Sequence, residues 1–398
     1  MKKYLYLALL LGITNANAES LIIDKDKISF NNNIRLGALS NITDTQNNAT
    51  TYNSVAIGGD IGLGYKINDK FSFATSLYFN KNLNSMIDIA PKNELAALKE
   101  QDNGDDYIYF GEAFVSYQPN VFTNIMLGYQ SFDLSFFNTN DIRINKNSFE
   151  ALALEYIGFD NIYLYAGYIN RMAGKDLRNN ELVNSKYDYM YGNPLDEIGQ
   201  VAFGGAKYMY SPITKITLEG YNISNIANVF YGEIETGHNY NDMLDTKLKS
   251  QFSQILEVSK SLYDGNVFGI FGSLEYKEYK LELAYNKANI TDNKYINITK
   301  GISPYYTTTE NMSVEELNSE TDAAQIAISK TFNKLDLKGS YSYYKTSNGL
   351  QEYTSLDIKG LYNYDDDFKI GVTFTNLNNV LVDTDNKYIV FTTASLQF

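Results

Sequence analysis

The chain of 398 residues has no cysteine, no tryptophan, one histidine and five prolines. Without cysteine there is no disulfide framework, no thiol nucleophile and no thiolate metal site. With a single histidine, any Ser/His/Asp triad would have to pass through His238, which sits in Thr236-Gly237-His238-Asn239, a stretch that reads as a link between strands. The expectation is therefore no enzyme, no cofactor and no metal. Two acidic runs, Asp102-Asn103-Gly104-Asp105-Asp106 and Asp383-Thr384-Asp385-Asn386, offer oxygen ligands. Neither has the spacing and closing glutamate of a Ca²⁺ loop, so both read as solvated loops. Positive charge is also scarce: 33 Lys and Arg stand against 47 Asp and Glu, a net charge of -14. That argues against nucleic acid as a partner, since a polyanion is bound by neutralising its phosphates.

Long apolar runs are missing too. The one near the start, Tyr4 to Ile13, is far shorter than the ~20 residues a membrane-spanning helix needs, and later ones are broken by Asn, Asp, Lys or Gly. Residues 1–18 read instead as a secretory signal: Lys2 and Lys3 precede the apolar run, and Ala16-Asn17-Ala18 supplies small residues at the cleavage positions. Cleavage after Ala18 leaves residues 19–398 with a charge of -14 - 2 = -16.

The chain is rich in 35 Tyr, 22 Phe and 27 Gly, residues that suit strands and tight turns. Apolar residues recur with period two. Val55, Ile57, Ile61, Leu63, Tyr65 and Ile67 alternate with Ala56, Gly58, Asp60, Gly62, Gly64 and Lys66. The final segment, Lys387 to Phe398, alternates in the same way over the length a tilted membrane strand requires. This pattern predicts eighteen strands, near 32–40, 54–67, 70–80, 106–118, 121–131, 147–158, 161–172, 197–209, 213–223, 226–236, 246–257, 266–276, 278–288, 321–332, 335–345, 353–364, 367–377 and 388–398. Segments 197–209 and 246–257 alternate poorly. Tight turns alternate with longer connections at 81–105, 132–146, 173–196 and 289–320, and the links at 224–225 and 237–245 break that rule. The fold class expected is all-β: one transmembrane antiparallel β-barrel over 19–398, of about 18 strands with 16 as the fallback. Short periplasmic turns and long extracellular loops would join them.

If the apolar faces meet lipid, the other faces line a lumen. They carry Arg35, Asp60, Glu112, Glu155, Arg171, Lys215, Glu219 and Glu275, then Lys280, Glu282, Asp336, Lys338, Asp357, Lys359 and Lys369. Charges of both signs are costly in a dry core and cheap in a water-filled pore.

Within this pattern, residues 127–174 resemble the OprD-type porins. The similarity rests on Leu127-Gly128-Tyr129-Gln130, Asn140-Asp141-Ile142-Arg143-Ile144, Asn147-Ser148-Phe149-Glu150 and Ala166-Gly167-Tyr168-Ile169-Asn170-Arg171-Met172-Ala173-Gly174. The sequence departs from the family at Tyr129-Gln130, because an arginine is usual just after Gly128. The resemblance implies that 132–146 is a constriction loop folded into the lumen, with Asp133, Asp141 and Arg143 facing the solute. It also implies a ladder of inward basic residues, here Lys280, Lys338, Lys359, Lys369 and Lys387.

Together these features point to an exported outer-membrane channel for ions and small hydrophilic solutes, weakly cation-preferring. The alternative within the class is a channel preferring small carboxylates or amino acids; outside it stands a barrel adhesin or structural protein without an open pore. Outer-membrane lipid and lipopolysaccharide, the barrel assembly machinery and a homotrimeric partner are the associations expected. Phe398, closing the last strand, resembles the assembly signal of outer-membrane barrels. Deleting Phe398 is expected to lower the amount of heat-modifiable, folded barrel recovered from outer membranes, measured by gel mobility before and after boiling.

Overall fold

The structure is a computed structural model that describes residues 27–45, 48–84, 106–139, 144–174, 200–241, 243–290, 294–381 and 386–397. The signal segment, Asp141, Arg143 and Phe398 lie outside these. Eighteen strands follow one another: β1 (Ile28–Thr45), β2 (Asn48–Lys66), β3 (Phe71–Asn82), β4 (Tyr107–Asn120), β5 (Thr123–Gln130), β6 (Ser148–Phe159), β7 (Ile162–Ala173), β8 (Val201–Ser211) and β9 (Thr214–Ile223). The second half is β10 (Ala227–Asn241), β11 (Leu244–Glu257), β12 (Gly265–Tyr276), β13 (Tyr279–Ile290), β14 (Thr321–Phe332), β15 (Leu335–Thr346), β16 (Glu352–Asn363), β17 (Phe368–Asn379) and β18 (Asn386–Gln397). Each strand pairs antiparallel with its neighbours in sequence, and β1 pairs with β18 from Asn33↔Gln397 to Asp44↔Asn386. The sheet closes, so no edge is left with unpaired backbone groups. The count is 18, and the fallback of 16 falls away.

Two boundaries differ from those read in the sequence. The segment 237–245 is no link: β10 runs on to Asn241 and β11 starts at Leu244, the two pairing as far as Asn241↔Leu244. His238 thus lies in a strand, edge-on to Tyr240 with ring centroids 4.4 Å apart. The first hairpin is also longer than expected, because residues 41–45 and 48–53 pair as strand. With these changes one end of the barrel carries only connections of two to four residues. At two of them, Asn161 (φ 61°) and Asn333 (φ 50°) take the left-handed conformation, which Asn adopts more easily than most residues. The other end carries every long loop, along with short ones such as 224–226.

The outer face shows why the barrel belongs in lipid. Leu152, Leu218, Phe230, Leu248, Phe268, Ile270, Leu283, Ile326, Ile328 and Ile358, on β6, β9 to β14 and β16, are all exposed. This band far exceeds the few hundred Å² of contiguous apolar surface a soluble monomer tolerates. A twelve-residue strand such as β13 spans about 40 Å at ~3.3 Å per residue, or ~28 Å along the barrel axis at a ~45° tilt, close to the thickness of a hydrocarbon core. At the short-turn end the band gives way to exposed Tyr65, Phe71, Tyr210, Tyr276, Tyr279 and Tyr362. Phe71 stacks on Tyr117 at 4.6 Å, and the Lys330 ammonium lies over the Tyr279 ring at 4.2 Å. Amphipathic rings and long cations of this kind sit where acyl chains meet headgroups. An arginine at the middle of this band should cost about 2–4 kcal/mol. Leu283→Arg is expected to destabilise the barrel by about that amount and Leu283→Phe by little, as read by denaturant titration in lipid vesicles.

Candidate functional site: a lumen narrowed by two loops

Eighteen strands leave a lumen too wide for wall side chains alone to fill. Among the described residues, two connections enter it. The first is the loop between β5 and β6, residues 131–147, called L3. Phe136, from its descending arm, packs edge-on against Tyr221 of β9, Tyr231 of β10 and Tyr305, with centroids 5.7, 5.8 and 6.2 Å away. Ile144, from its returning arm, is buried with Leu39, Ala56 and Ile389 on the β1, β2 and β18 wall. L3 therefore reaches both flanks of the lumen. Gly58 makes room for this, because a Cβ there would come within 2.5 Å of the Ile144 side chain.

The second is the loop between β13 and β14, residues 291–320, called L7. It meets L3 strand-like at Phe137↔Lys300. The Lys300 N–H donates to Phe136 O at 2.8 Å, and the Asn138 N–H donates to Lys300 O at 3.0 Å. The Asn138 side chain clasps Ile302 from both sides, donating to its carbonyl at 2.9 Å and accepting from its N–H at 2.8 Å. Gly301 (φ 135°) sits under that amide, where a Cβ would meet Asn138 Oδ1 at 2.2 Å. L7 is anchored to the wall as well. The Thr307 N–H and hydroxyl donate to Asn286 at 2.9 and 3.1 Å, the Tyr344 hydroxyl donates to Thr307 O, and Tyr305 pairs with Ser253 at 2.9 Å.

The wall under these loops is apolar toward the lumen. Phe149, Ile169, Met172, Val201, Ile223, Val229, Ile255 and Val267 are fully buried against L3 and L7. The rest of the lumen is polar. Glu219, 5% exposed, accepts from Tyr165 at 2.5 Å, the Ser135 N–H at 3.1 Å and Tyr221. Full donor satisfaction of this kind is what makes a buried carboxylate tolerable. Glu233 accepts from Tyr306 of L7 at 2.9 Å.

The lysines are largely paired. Glu282 holds Lys280 at 2.6 Å and also Lys338. Glu310 of L7 holds Lys359. Glu235 is flanked by Lys247 at 2.9 Å, Lys249 at 2.8 Å and Lys215 at 3.7 Å. Beside L7, toward the short-turn end, a cavity of about 540 Å³ is lined by Arg35, Glu310, Asp336, Lys338, Lys359, Thr373 and Ser395, among others.

The residues singled out in the sequence fall as follows. Arg35, Lys338 and Lys359 come together at the cavity. Glu112 shares a face with buried Ser76 and accepts from Tyr78 at 3.4 Å. Glu155 accepts from Asn124 at 3.1 Å and Tyr163 at 2.6 Å. Lys369 stands beside Asn363 and Ser395 on the lumen face, and Lys387 beside Thr43 and Leu377. Asp133 is exposed in L3 and accepts from Thr139 at 3.2 Å. Arg171 takes a different place from the inward row. A β-bulge between β6 and β7 at Asn170 sets it opposite Glu150, on the face that carries exposed Leu152 and Leu154, and the two side chains form an ion pair.

L7 was not legible as a constriction element, nor were Lys207, Lys247 and Lys249 as wall cations, because β8 and β11 alternate poorly. A signal was nonetheless present. Ile296, Ile298, Tyr305, Met312, Val314 and Leu317 are too apolar for a connection bathed in water.

Solved structures of the same shape exist. OccAB4 of Acinetobacter baumannii superposes with a TM-score of 0.74 at 14% identity, covering 94% of this chain and 99% of that one. OpdQ of Pseudomonas aeruginosa gives 0.74 at 12% identity over 93% and 98%. The outer membrane protein opdK of Pseudomonas aeruginosa gives 0.72 at 12% over 93% and 99%. No family model and no curated protein sequence matches the chain. At these identities the likeness is one of fold: the chain folds as an 18-stranded barrel of the OprD and Occ porin type. This is the architecture that the resemblance at 127–174 implied.

Removing the Asn138 clasp should loosen L7 without touching the wall. Losing two hydrogen bonds costs roughly 1–3 kcal/mol, so Asn138→Ala is expected to speed amide exchange at Ile302 by about tenfold, with the amides of β16 and β17 unaffected.

Proposed function

We propose that the protein is an outer-membrane channel through which ions and small hydrophilic solutes diffuse passively, with short turns in the periplasm and loops outside. The observation that carries this is the closed 18-stranded barrel with an apolar outer band and a charged lumen narrowed by L3 and L7. Strand number also weighs against an adhesin whose lumen is filled by wall side chains, since that needs a barrel of around eight strands. The chemistry is selection, not reaction. Solutes are sorted by size at the constriction and by the charge of its lining. Export by the signal of residues 1–18, lipopolysaccharide around the loop end, delivery by the barrel assembly machinery and a homotrimer all accord with this reading.

The ion preference we infer is weak and cationic. The chain is acidic, and the lumen lysines Lys280, Lys338 and Lys359 are held by Glu282 and Glu310, which mutes their attraction for anions. Charges in the outer loops are screened beyond about 8–10 Å at ordinary salt, so residues at the constriction matter most. The cavity with Arg35, Lys338 and Lys359 favours a second reading, a preference for small carboxylates, although lysine lacks the planar fork with which arginine grips a carboxylate. Reversal potentials in asymmetric KCl across a planar bilayer separate the two. The first reading expects a small cation-selective offset, shifted toward anions by Asp141→Asn. Clear anion selectivity in the unmodified channel would refute it and favour the carboxylate reading. Recovery of a soluble periplasmic monomer without detergent would refute both.

A further inference from the structure

Among the described residues of the two lumen loops, Glu315 is the most enclosed carboxylate, 3% exposed. It lies in a single 3-10 turn of L7, Val314–Leu317, whose Val314 and Leu317 are buried in the lumen cluster and which packs on β13 and β14. Its Oε2 accepts from Thr299 Oγ1 at 2.9 Å. Thr299 immediately precedes Lys300, whose backbone makes both hydrogen bonds to L3. The carboxyl thus sits directly behind the junction of the two loops. The wall offers it no counter-charge. The lumen-facing residues at this level are Asn286 and Ala288 on β13 and Thr321 and Ala323 on β14, all uncharged. Lys287 and Asp322 point to the other side, paired with Glu320 at 3.1 Å and with Tyr285. L3 presents Phe136, Phe137 and Asn138. Within L7 itself the facing groups are Lys300, Glu316 and the Tyr305 hydroxyl.

We propose that Glu315 is a pH-sensitive latch: protonated, it lets L7 pack in the lumen against L3, and ionised, it releases L7 from the wall. The channel reading is needed only for the consequence, a wider passage at high pH. Burial pushes this carboxyl up to about 8, with Glu316 adding to the shift and the Ser303 and Thr299 hydroxyls and Lys300 opposing it. In the released loop the group returns to the ordinary glutamate range near 4.5. The packed state therefore keeps a proton that the released state gives up between these two values. Packing is strongest below about pH 4.5, weakens as pH rises, and levels off above about pH 8. One proton of linkage corresponds to about tenfold in the release equilibrium per pH unit within that window.

The absence of cysteine gives a clean probe. Ser253 on β11 is fully buried beneath Tyr305 of L7, their hydroxyls 2.9 Å apart, so S253C in the otherwise unmodified chain reports release of L7 as reaction with a methanethiosulfonate. Thiol ionisation cancels when rates are divided by those of S253C combined with E315Q, whose amide cannot ionise. The ratio is expected to rise about tenfold per unit from pH 5 to 7.5 and to flatten above pH 8. A ratio that does not change with pH overturns the proposal. Should E315Q fail to give a heat-modifiable barrel, T299V serves instead. It removes a donor to the charged form and so raises the carboxyl further in the packed loop; the rate of S253C combined with T299V, divided by that of S253C alone, must therefore rise above about pH 8, and a ratio constant with pH is equally fatal. Bilayer recordings complete the test. Conductance should rise between pH 6 and 8.5 in the parent and stay constant in E315Q. No conductance at any pH would sink the channel reading, and the labelling ratio would then decide the latch alone.

Discussion

Everything in this molecule depends on the pairing of β1 with β18. In hydrocarbon no water can satisfy a backbone N–H or C=O, and each one left unpaired costs several kcal/mol. A sheet placed there must close on itself, and the register from Asn33↔Gln397 to Asp44↔Asn386 does this. Once the sheet is closed at 18 strands, the outer face is free to be apolar. Exposed Leu, Ile and Phe side chains, a liability on a soluble protein, become the surface that holds the barrel in the bilayer.

Closure at this size creates the second problem, a lumen too wide for wall side chains alone to fill. The chain answers it with connections, folded inward and held by the same forces as any core. L3 and L7 bring Phe136, Phe137, Ile296, Ile298 and Tyr305 against an apolar patch of wall, and they pair with each other through backbone and Asn138. The lumen is therefore two-sided. One flank is dry and packed; on the other, polar and charged residues such as Arg35, Lys338 and Lys359 surround a cavity. Ion pairs tune that polar flank. Glu310 couples L7 to Lys359 on β16, and Glu282 occupies two lysines at once, so the positive charge of the lumen wall is smaller than the count of lysines suggests.

The same packing explains which parts of the sequence were hard to read. Strands whose inner face meets water alternate cleanly, as β13 does with Leu281 and Leu283 outward and Lys280 and Glu282 inward. In β11 the inner face carries Lys247 and Lys249 at one end and Ile255 at the other, the latter covered by a loop, with Leu256 outward beside it. Two neighbouring apolar residues erase the period-two signal. Polar strand residues at 41–45 and 48–53 misled in the opposite sense. They form the loop end of the first hairpin, where composition no longer distinguishes strand from link, and pairing with β2 and β18 makes them strand.

The sequence by itself determined the class of fold, the number of strands and most of their faces, because alternation of apolar and polar residues follows directly from a strand with lipid on one side and water on the other. The resemblance at residues 127–174 singled out 132–146 as a candidate constriction loop. The tertiary structure alone decided that L7 joins L3, that the bulge at Asn170 sets Arg171 beside Glu150, and that Glu315 is sealed behind the junction of the two loops. Each of these depends on which segments meet across the lumen. Residues far apart in the chain are brought together there by closure of the barrel, and no local pattern of the chain encodes that meeting.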